Sequence, residues 1–271
     1  MIKQAIIPLA GLGTRLLPLT SVFAKELLPI NGRPGIEYIL EECIEAGVKE
    51  IVFIISTKKL MIKKYFYSDK FYKNIISKKK DPRIINEYKK ILKYKNKIKF
   101  VYQNIPKGTG DAVLKTQKYI KNKYFLMLLP DDLIIKKNCS KSMIKVHKKY
   151  QASVMASMKV KKNNVSRWGI YKINKKLNKR DYLIDGVVEK PSIKNAPSNN
   201  AVIGRYILPR TIFKKIKSLK PVKGKEIHIT DAIQLLINDK EKFVAHNFEG
   251  KYLDCGTMSG YINTSKEIGK I

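Results

Sequence analysis

Apolar positions come along this chain in short runs, separated by stretches crowded with charge. Residues 4–9, 50–56, 98–103 and 124–129 each form a run of strand length, the pattern of strands lodged inside a fold. Between them, residues 34–47 carry apolar side chains at helical spacing. Ile36, Ile39, Leu40 and Cys43 fall on one face, Glu37, Glu41, Glu42 and Glu45 fall mostly on another, and Gly47 supplies a C-terminal stop. Residues 110–119 predict a second helix. This strand–helix alternation predicts a parallel sheet with helices on both faces, so ligands are expected beyond the carboxyl ends of the strands.

Residues 61–97 are rich in lysine and tyrosine, with helical pieces around 83–95, and read as an excursion from the sheet, a mobile flap or a subunit contact. The pattern changes from residue 152. Residues 152–160, 169–173, 183–189 and 201–208 are strand-like, some in hairpins; 209–219 and 230–237 are helical; 242–247 is a strand and 257–268 a closing helix. There is no internal repeat and no low-complexity linker.

Composition narrows the class. The chain has 271 residues, 44% of them hydrophobic, enough for a full core. No apolar run approaches the roughly 20 residues of a membrane span. Met1-Ile2-Lys3-Gln4 runs straight into the first strand without a signal-peptide core, so a cytoplasmic location and no membrane partner are expected. Cys43, Cys139 and Cys255 lie far apart without metal-ligand spacing, and read as reduced thiols. His147, His228 and His246 are scattered, so neither a zinc site nor a Ser-His-Asp triad has local support. The net charge of +34 would ordinarily point to nucleic acid. Here the lysines are spread along the whole chain and accompany abundant Ile, Asn and Tyr, the mark of compositional drift on solvated positions, and a nucleic-acid partner is not expected.

The chemistry starts at Gly11-Leu12-Gly13-Thr14-Arg15, directly after the first strand, followed by Lys25-Glu26-Leu27-Leu28-Pro29. Glycines let backbone N–H groups approach a phosphate, and Arg15 and Lys25 supply charge to neutralise a polyphosphate. The stretch fits neither the P-loop, which needs Gly-Lys-Ser/Thr, nor the dinucleotide fingerprint, since Leu16 stands where a third glycine belongs. Glycine pairs alone also mark ordinary turns. Gln103 leads into Lys107-Gly108-Thr109-Gly110; its amide offers a donor and an acceptor to a nucleobase edge, and Gly108 offers a backbone amide, unless this is only a strand-to-helix turn. Asp131 ends an apolar strand and Asp254 sits in a similar place. Two carboxylates beside phosphate suit Mg²⁺, while Asp254 alternatively caps the last helix. Glu189-Lys190-Pro191 ends another strand, either aimed inward at hydroxyls and phosphate or a solvated charge pair.

Taken together, these groups resemble a family. Ile7-Pro8-Leu9-Ala10-Gly11-Leu12-Gly13-Thr14-Arg15, Lys25-Glu26-Leu27-Leu28-Pro29, Leu129-Pro130-Asp131, Gly186-Val187-Val188-Glu189-Lys190-Pro191, Ala196-Pro197-Ser198-Asn199, Ile203-Gly204-Arg205-Tyr206, Glu226-Ile227-His228-Ile229-Thr230-Asp231-Ala232-Ile233 and Asp254-Cys255-Gly256 occur in the order of the sugar-phosphate nucleotidyltransferases. The chain is most similar to their bacterial UTP–glucose-1-phosphate uridylyltransferase branch; Ala10 and the Pro-Ser-Asn and Thr-Asp-Ala segments favour it. The resemblance implies a Rossmann-like, three-layer α/β fold with a mixed, mostly parallel sheet. It implies one domain over residues 1–271, with a nucleotide half to about 135 and a sugar half from about 136. It implies uridylyl transfer from UTP to glucose 1-phosphate with Mg²⁺, in a homo-oligomer, dimer or tetramer. Residue by residue, Ala10, Gly11, Glu26, Gln103 and Gly108 would surround the uracil, with Gly13 and Thr14 in the same nucleotide loop. Arg15 and Lys25 would hold the triphosphate, Asp131 and Asp254 Mg²⁺, and Gly169, Glu189 and Gly204 the glucose. Lys190 would bind the sugar phosphate. Rival expectations are the same chemistry with dTTP or another sugar 1-phosphate, or a regulator that binds a nucleotide sugar without turning it over.

Three departures stand out. Ser21 removes a lysine the family carries. Ala24 replaces a proline, which is expected to loosen the loop. The chain stops soon after Asp254, shortening the family's tail.

Overall fold

The computed structural model describes residues 2–219 and 226–270; Met1, residues 220–225 and Ile271 lie outside the described residues. The chain opens with β1 (Gln4–Pro8), then a short antiparallel pair, β2 (Pro29–Ile30) and β3 (Arg33–Pro34), and α1 (Gly35–Glu45). β4 (Glu50–Ile55) leads into α2 (Leu60–Phe66), α3 (Asp69–Lys79) and α4 (Pro82–Lys95). β5 (Ile98–Tyr102), α5 (Thr109–Leu114), β6 (Tyr124–Leu128), β7 (Asp132–Ile135), α6 (Cys139–Tyr150) and β8 (Ser153–Lys159) follow. The rest comprises β9 (Gly169–Lys176), β10 (Asp181–Glu189), β11 (Asn200–Pro209), α7 (Ile212–Ser218), α8 (Ile229–Asn238), β12 (Phe243–Asn247), β13 (Lys251–Asp254) and α9 (Met258–Ile268).

Nine strands form one mixed sheet in the order β5-β4-β1-β6-β11-β8-β12-β10-β9. β5, β4, β1 and β6 are mutually parallel, and across the whole sheet only β10 and β11 run against the rest. The period-two alternation of a strand explains why the central runs are apolar throughout. Ala5 and Ile7 of β1 enter one core while Ile6 enters the other; Ile51, Phe53 and Ile55 of β4 part in the same way from Val52 and Ile54, as do Leu126 and Leu128 of β6 from Phe125 and Met127. The first core is closed by α1, α2, α4 and α6, the second by α5, α7 and α8. The result is an α/β fold of three layers.

Several local expectations are corrected. Glu37 and Glu42, which helical spacing sets mostly off the apolar face of α1, are buried. Glu37 is reached by Arg33, Lys90 and the Tyr65 hydroxyl, and Glu42 by Arg205, so charge partners rather than water satisfy them. Residues 61–97 are anchored at both ends: Ile62, Phe66, Ile91 and Tyr94 are buried, and Phe66 stands edge-on to Phe53 and Tyr94. Only α3 buries none of its side chains among these helices. α6 adds a helix beyond those the apolar pattern predicts, with Cys139, Met143 and Val146 recurring at helical spacing on its buried face.

Candidate active site

The carboxyl ends of β1, β5 and β6 open into a cleft of about 410 Å³. Nine of the residues singled out from the sequence line it: Ala10, Gly11, Arg15, Lys25, Glu26, Gln103, Gly108, Asp131 and Asp254. Gly13, Thr14, Gly169, Glu189, Lys190 and Gly204 are not part of that lining. Arg167, Trp168, Asp132, Tyr252, Glu226 and Thr257 line it as well; Glu226 opens one of the family segments, but none of the six is singled out from the sequence as a site residue.

The loop after β1 turns at Gly13, whose φ of 72° lies in the left-handed region, and the Thr20 hydroxyl donates to the Gly13 carbonyl at 2.9 Å. Ser21 closes its own turn by donating to the Pro18 carbonyl at 2.6 Å. Ala24 is buried, and its N–H donates to the Met61 sulfur at 3.1 Å, a tie that a proline could not make. The expected loosening is thus countered by a backbone contact open to any residue but proline. Glu26 does not stand free at the cleft: Lys59 donates to both of its oxygens, at 2.8 and 2.9 Å, and to the Leu9 carbonyl at 2.8 Å. Burial pushes the Glu26 carboxyl up and the Lys59 ammonium down, and each is pulled back by the other's charge. The pair bolts the Lys25-Glu26 turn to the end of β1.

At the opposite wall, β13 pairs with β7 so that Asp254 faces Asp132, and the Cys255 N–H donates to the Asp131 carbonyl at 2.8 Å. A Cβ placed on Gly256 would lie 3.1 Å from Asp254 Oδ1, 3.2 Å from Asp131 Oδ2 and 3.3 Å from Arg15 Nη2. Residues more than 200 positions apart therefore converge on one spot. Lys25 is ion-paired with Asp131. The cap of α9 is Thr257, whose hydroxyl accepts from the Gly260 N–H at 3.1 Å, so the Asp254 carboxylate is not spent on capping. It accepts instead from the Gly256 N–H at 2.7 Å.

Behind this spot, Asp132 accepts from the Tyr252 hydroxyl at 2.7 Å and from the Gly204 N–H at 2.8 Å, and burial pushes its carboxyl up. A Cβ at Gly204 would come within 2.5 Å of both Asp132 Oδ2 and Leu129 Cβ, which gives this glycine a packing reason. Arg205 is fully buried. It bonds both oxygens of Glu42 at 2.8 to 3.1 Å and donates to the carbonyls of Leu129 at 3.1 Å, Gly204 at 3.0 Å and Asp132 at 2.6 Å. It thereby clasps the turn that presents Asp131.

At the far end, Gln103 is buried and its Nε2 donates to the Gly108 carbonyl at 3.1 Å and to Asp111 Oδ2 at 2.7 Å. Gly108 has φ 95°, and a Cβ there would meet the Ile227 carbonyl oxygen at 2.5 Å. Residues 107–110 and 227–229 are stitched together by Ile227 N–H to Lys107 O at 2.9 Å, Gly110 N–H to Ile227 O at 2.7 Å and Ile229 N–H to Thr109 Oγ1 at 3.1 Å.

Gly169, Glu189 and Lys190 lie outside that lining, next to Trp168 in sequence or through its backbone. Gly169 and Glu189 are partners across β9 and β10. Lys190 has φ 43°, a conformation that disfavours non-glycine residues, and its N–H donates at 3.0 Å to the carbonyl of Trp168, a cleft residue standing edge-on to Tyr252. Far from them the fold builds a contact the sequence hid: His246 Nδ1 lies 2.6 Å from Asp181 and Nε2 lies 3.2 Å from the Ser142 hydroxyl. That hydroxyl also donates to the Cys139 carbonyl at 2.8 Å, and none of the three lines the cleft. The histidine ties β10 to β12.

Residues 4–271 match the family model described as nucleotidyl transferase. The chain belongs to this family. A UTP–glucose-1-phosphate uridylyltransferase of Streptococcus pyogenes is 38% identical over 272 aligned positions, covering 97% of this chain and 88% of that protein. A UDP-glucose pyrophosphorylase solved with UDP-glucose superposes with a TM-score of 0.86 at 36% identity, covering 100% and 99% of the two chains. The UTP-bound enzyme from Acinetobacter baumannii gives 0.92 at 32% identity, covering 99% and 94%. The cleft lies at the carboxyl ends of parallel strands, the usual ligand position in open α/β sheets.

Proposed function

We propose that this nucleotidyl transferase moves the uridylyl group of UTP to glucose 1-phosphate, giving UDP-glucose and pyrophosphate. The observation that carries the reading is the convergence of Arg15, Asp131 and Asp254 on one spot, with Lys25 beside them, in the cleft that also holds Gln103 and Gly108. One end suits a base and the other a chain of phosphates. The relatives named for this reaction, and those solved with UTP and with UDP-glucose, support the same substrates.

The reaction needs no side-chain nucleophile. An anionic oxygen of glucose 1-phosphate attacks the α-phosphorus, the bond from that phosphorus to the bridging oxygen of the β-phosphate breaks, and pyrophosphate leaves. The protein's task is alignment and neutralisation of two polyanions. Arg15 and Lys25 stabilise the triphosphate and the departing pyrophosphate. Lys190, with Glu189 and Gly169, holds the attacking phosphate and sugar, while Gly204 supports the sugar side from behind Leu129.

The donor set fits Mg²⁺. Among the described residues no cluster of three or more His, Cys, Asp and Glu side chains could hold a metal alone, but Mg²⁺ takes few protein ligands and fills its shell with phosphate oxygens and water. Asp131 and Asp254 would hold it, and the ion pair that Lys25 makes with Asp131 is in keeping with a cation there. When bound, Mg²⁺ supplies charge neutralisation and Lewis acidity at the phosphates.

No described helix is long and apolar enough to cross a membrane. The reading extends to a cytoplasmic homo-oligomer, dimer or tetramer, whose mass sedimentation would measure. Pyrophosphate release, assayed with UTP, dTTP and a panel of sugar 1-phosphates, tests the function: the fastest release is expected for UTP with glucose 1-phosphate, and a clear preference for another pair would replace it.

A further inference from the structure

The proposed base pocket contains a carboxylate whose position has a consequence for selectivity. Gln103 Nε2 carries two hydrogens, and both are spent, one on the Gly108 carbonyl at 3.1 Å and one on Asp111 Oδ2 at 2.7 Å. A carboxylate only accepts, so Asp111 admits the nitrogen of the Gln103 amide and repels its oxygen. Asp111 is held in turn on the first turn of α5, with the Lys115 ammonium 3.8 Å away. Gln103 Oε1 has no hydrogen-bond donor among the described residues and is not fully buried, and Gln103 lines the cleft. The Gly108 N–H likewise has no acceptor among the described residues. The pocket therefore offers a fixed acceptor, Gln103 Oε1, and a backbone donor, Gly108 N–H.

We propose that Asp111 is a specificity-determining positioning residue: by locking the Gln103 amide with its oxygen toward the cleft, it selects bases that present an imide edge, N–H beside C=O, and rejects cytosine. Uracil and thymine present that edge through N3–H and a ring carbonyl. Cytosine presents the reverse, an unprotonated N3 beside an amino group, and would set acceptor against acceptor at Gln103. The inference rests on the reading that the base lies at Gln103 and Gly108. It predicts that UTP and dTTP are not separated by this device while CTP is.

The test is equilibrium binding of UTP, dTTP and CTP to the full chain, with no sugar phosphate present, so that loss of turnover cannot hide the result. In Asp111→Asn the new amide can offer Gln103 either an oxygen or an N–H, so only the Gly108 carbonyl, at 3.1 Å, still holds the Gln103 nitrogen and the turned-over amide becomes accessible. The ratio of CTP to UTP dissociation constants is expected to fall about tenfold or more, the scale of a paired base contact, with UTP and dTTP moving together. Asp111→Ala is expected to lower the same ratio, and thermal melting of both variants checks that they fold. A uniform loss of affinity for all three nucleotides would mean that Asp111 merely supports the pocket, and the proposal falls. Gln103→Ala separates the underlying reading: if it binds UTP as tightly as the parent chain, the base does not lie there. If Gln103→Ala weakens UTP and Asp111→Asn keeps the CTP-to-UTP ratio, only the role of Asp111 is overturned.

Discussion

Replacing Arg205 with methionine should cost this fold more than any single change at the rim of the cleft. The guanidinium is fully buried and reaches both oxygens of the buried Glu42 through bonds of 2.8 to 3.1 Å. Methionine keeps an unbranched stem of similar length but leaves the Glu42 carboxylate with only Ser140, which donates its N–H at 3.1 Å and its hydroxyl at 2.6 Å. Leaving one member of a buried pair uncompensated costs about 3–5 kcal/mol. Against a total stability of about 5–15 kcal/mol that is a large share. At roughly 2–4 °C per kcal/mol, a loss of about 4 kcal/mol lowers Tm by about 8–16 °C. Thermal melting followed by circular dichroism reads it directly. The double variant Glu42→Met with Arg205→Met removes both charges and should recover most of the loss, since apolar replacement of a whole buried pair is often neutral. Its activity should stay low, because the carbonyls of Leu129 and Asp132 that flank Asp131 would still lack their donor. A single variant melting within about 2 °C of the parent, or a double variant no more stable than the single, would refute this reasoning.

Further outcomes follow from the same contacts. Gly108→Ala puts a Cβ 2.5 Å from the Ile227 carbonyl oxygen at φ 95°, so steady-state kinetics should show a raised KM for UTP with a smaller change in KM for glucose 1-phosphate; equal changes in both would disconnect this loop from the base. Lys190→Ala should lower kcat severely, by a hundredfold or more on the scale of lost electrostatic stabilisation, and near-normal kinetics would remove Lys190 from the phosphate. Bonds from Lys251 and Lys270 pull the Glu267 carboxyl down to about 2. A depressed carboxyl stabilises the folded state above its unfolded value and loses that contribution as the pH falls toward 2. Carboxyl NMR should find Glu267 titrating near 2, and Lys251→Met should move its midpoint back up; an ordinary midpoint in the parent chain would show that the tie to β13 is not made.

The parts of this structure that could be read from sequence are those where one local physical demand dominates. Continuous apolar runs had to be strands, and β1, β4 and β6 are buried on both faces, whereas β5, read in the same way, lies at the edge of the sheet and is only partly buried. A glycine turn followed by Arg15 and Lys25 had to serve an anion or a turn, and both residues line the cleft. Non-local demands stayed hidden. Glu42 looks like one more solvated glutamate on α1 until Arg205, 163 residues away, is seen to need it. Lys59 is one lysine among many until the fold closes it over Glu26. β7 and β13 are each only four residues long, too short for a pattern, yet their pairing is what brings Asp254 to Asp131. The family resemblance assigns Gly204 to the sugar, and the structure adds a steric demand from Asp132 and Leu129 that no motif reveals.

The most direct test of the central claim is product formation. Purified chain is incubated with UTP, glucose 1-phosphate and Mg²⁺, and UDP-glucose is quantified by chromatography alongside pyrophosphate. The account predicts stoichiometric UDP-glucose and pyrophosphate that disappear when the divalent cation is chelated and in Asp131→Asn with Asp254→Asn. Folded protein that binds UTP yet forms no UDP-glucose, or forms it undiminished in the double aspartate variant, would contradict it.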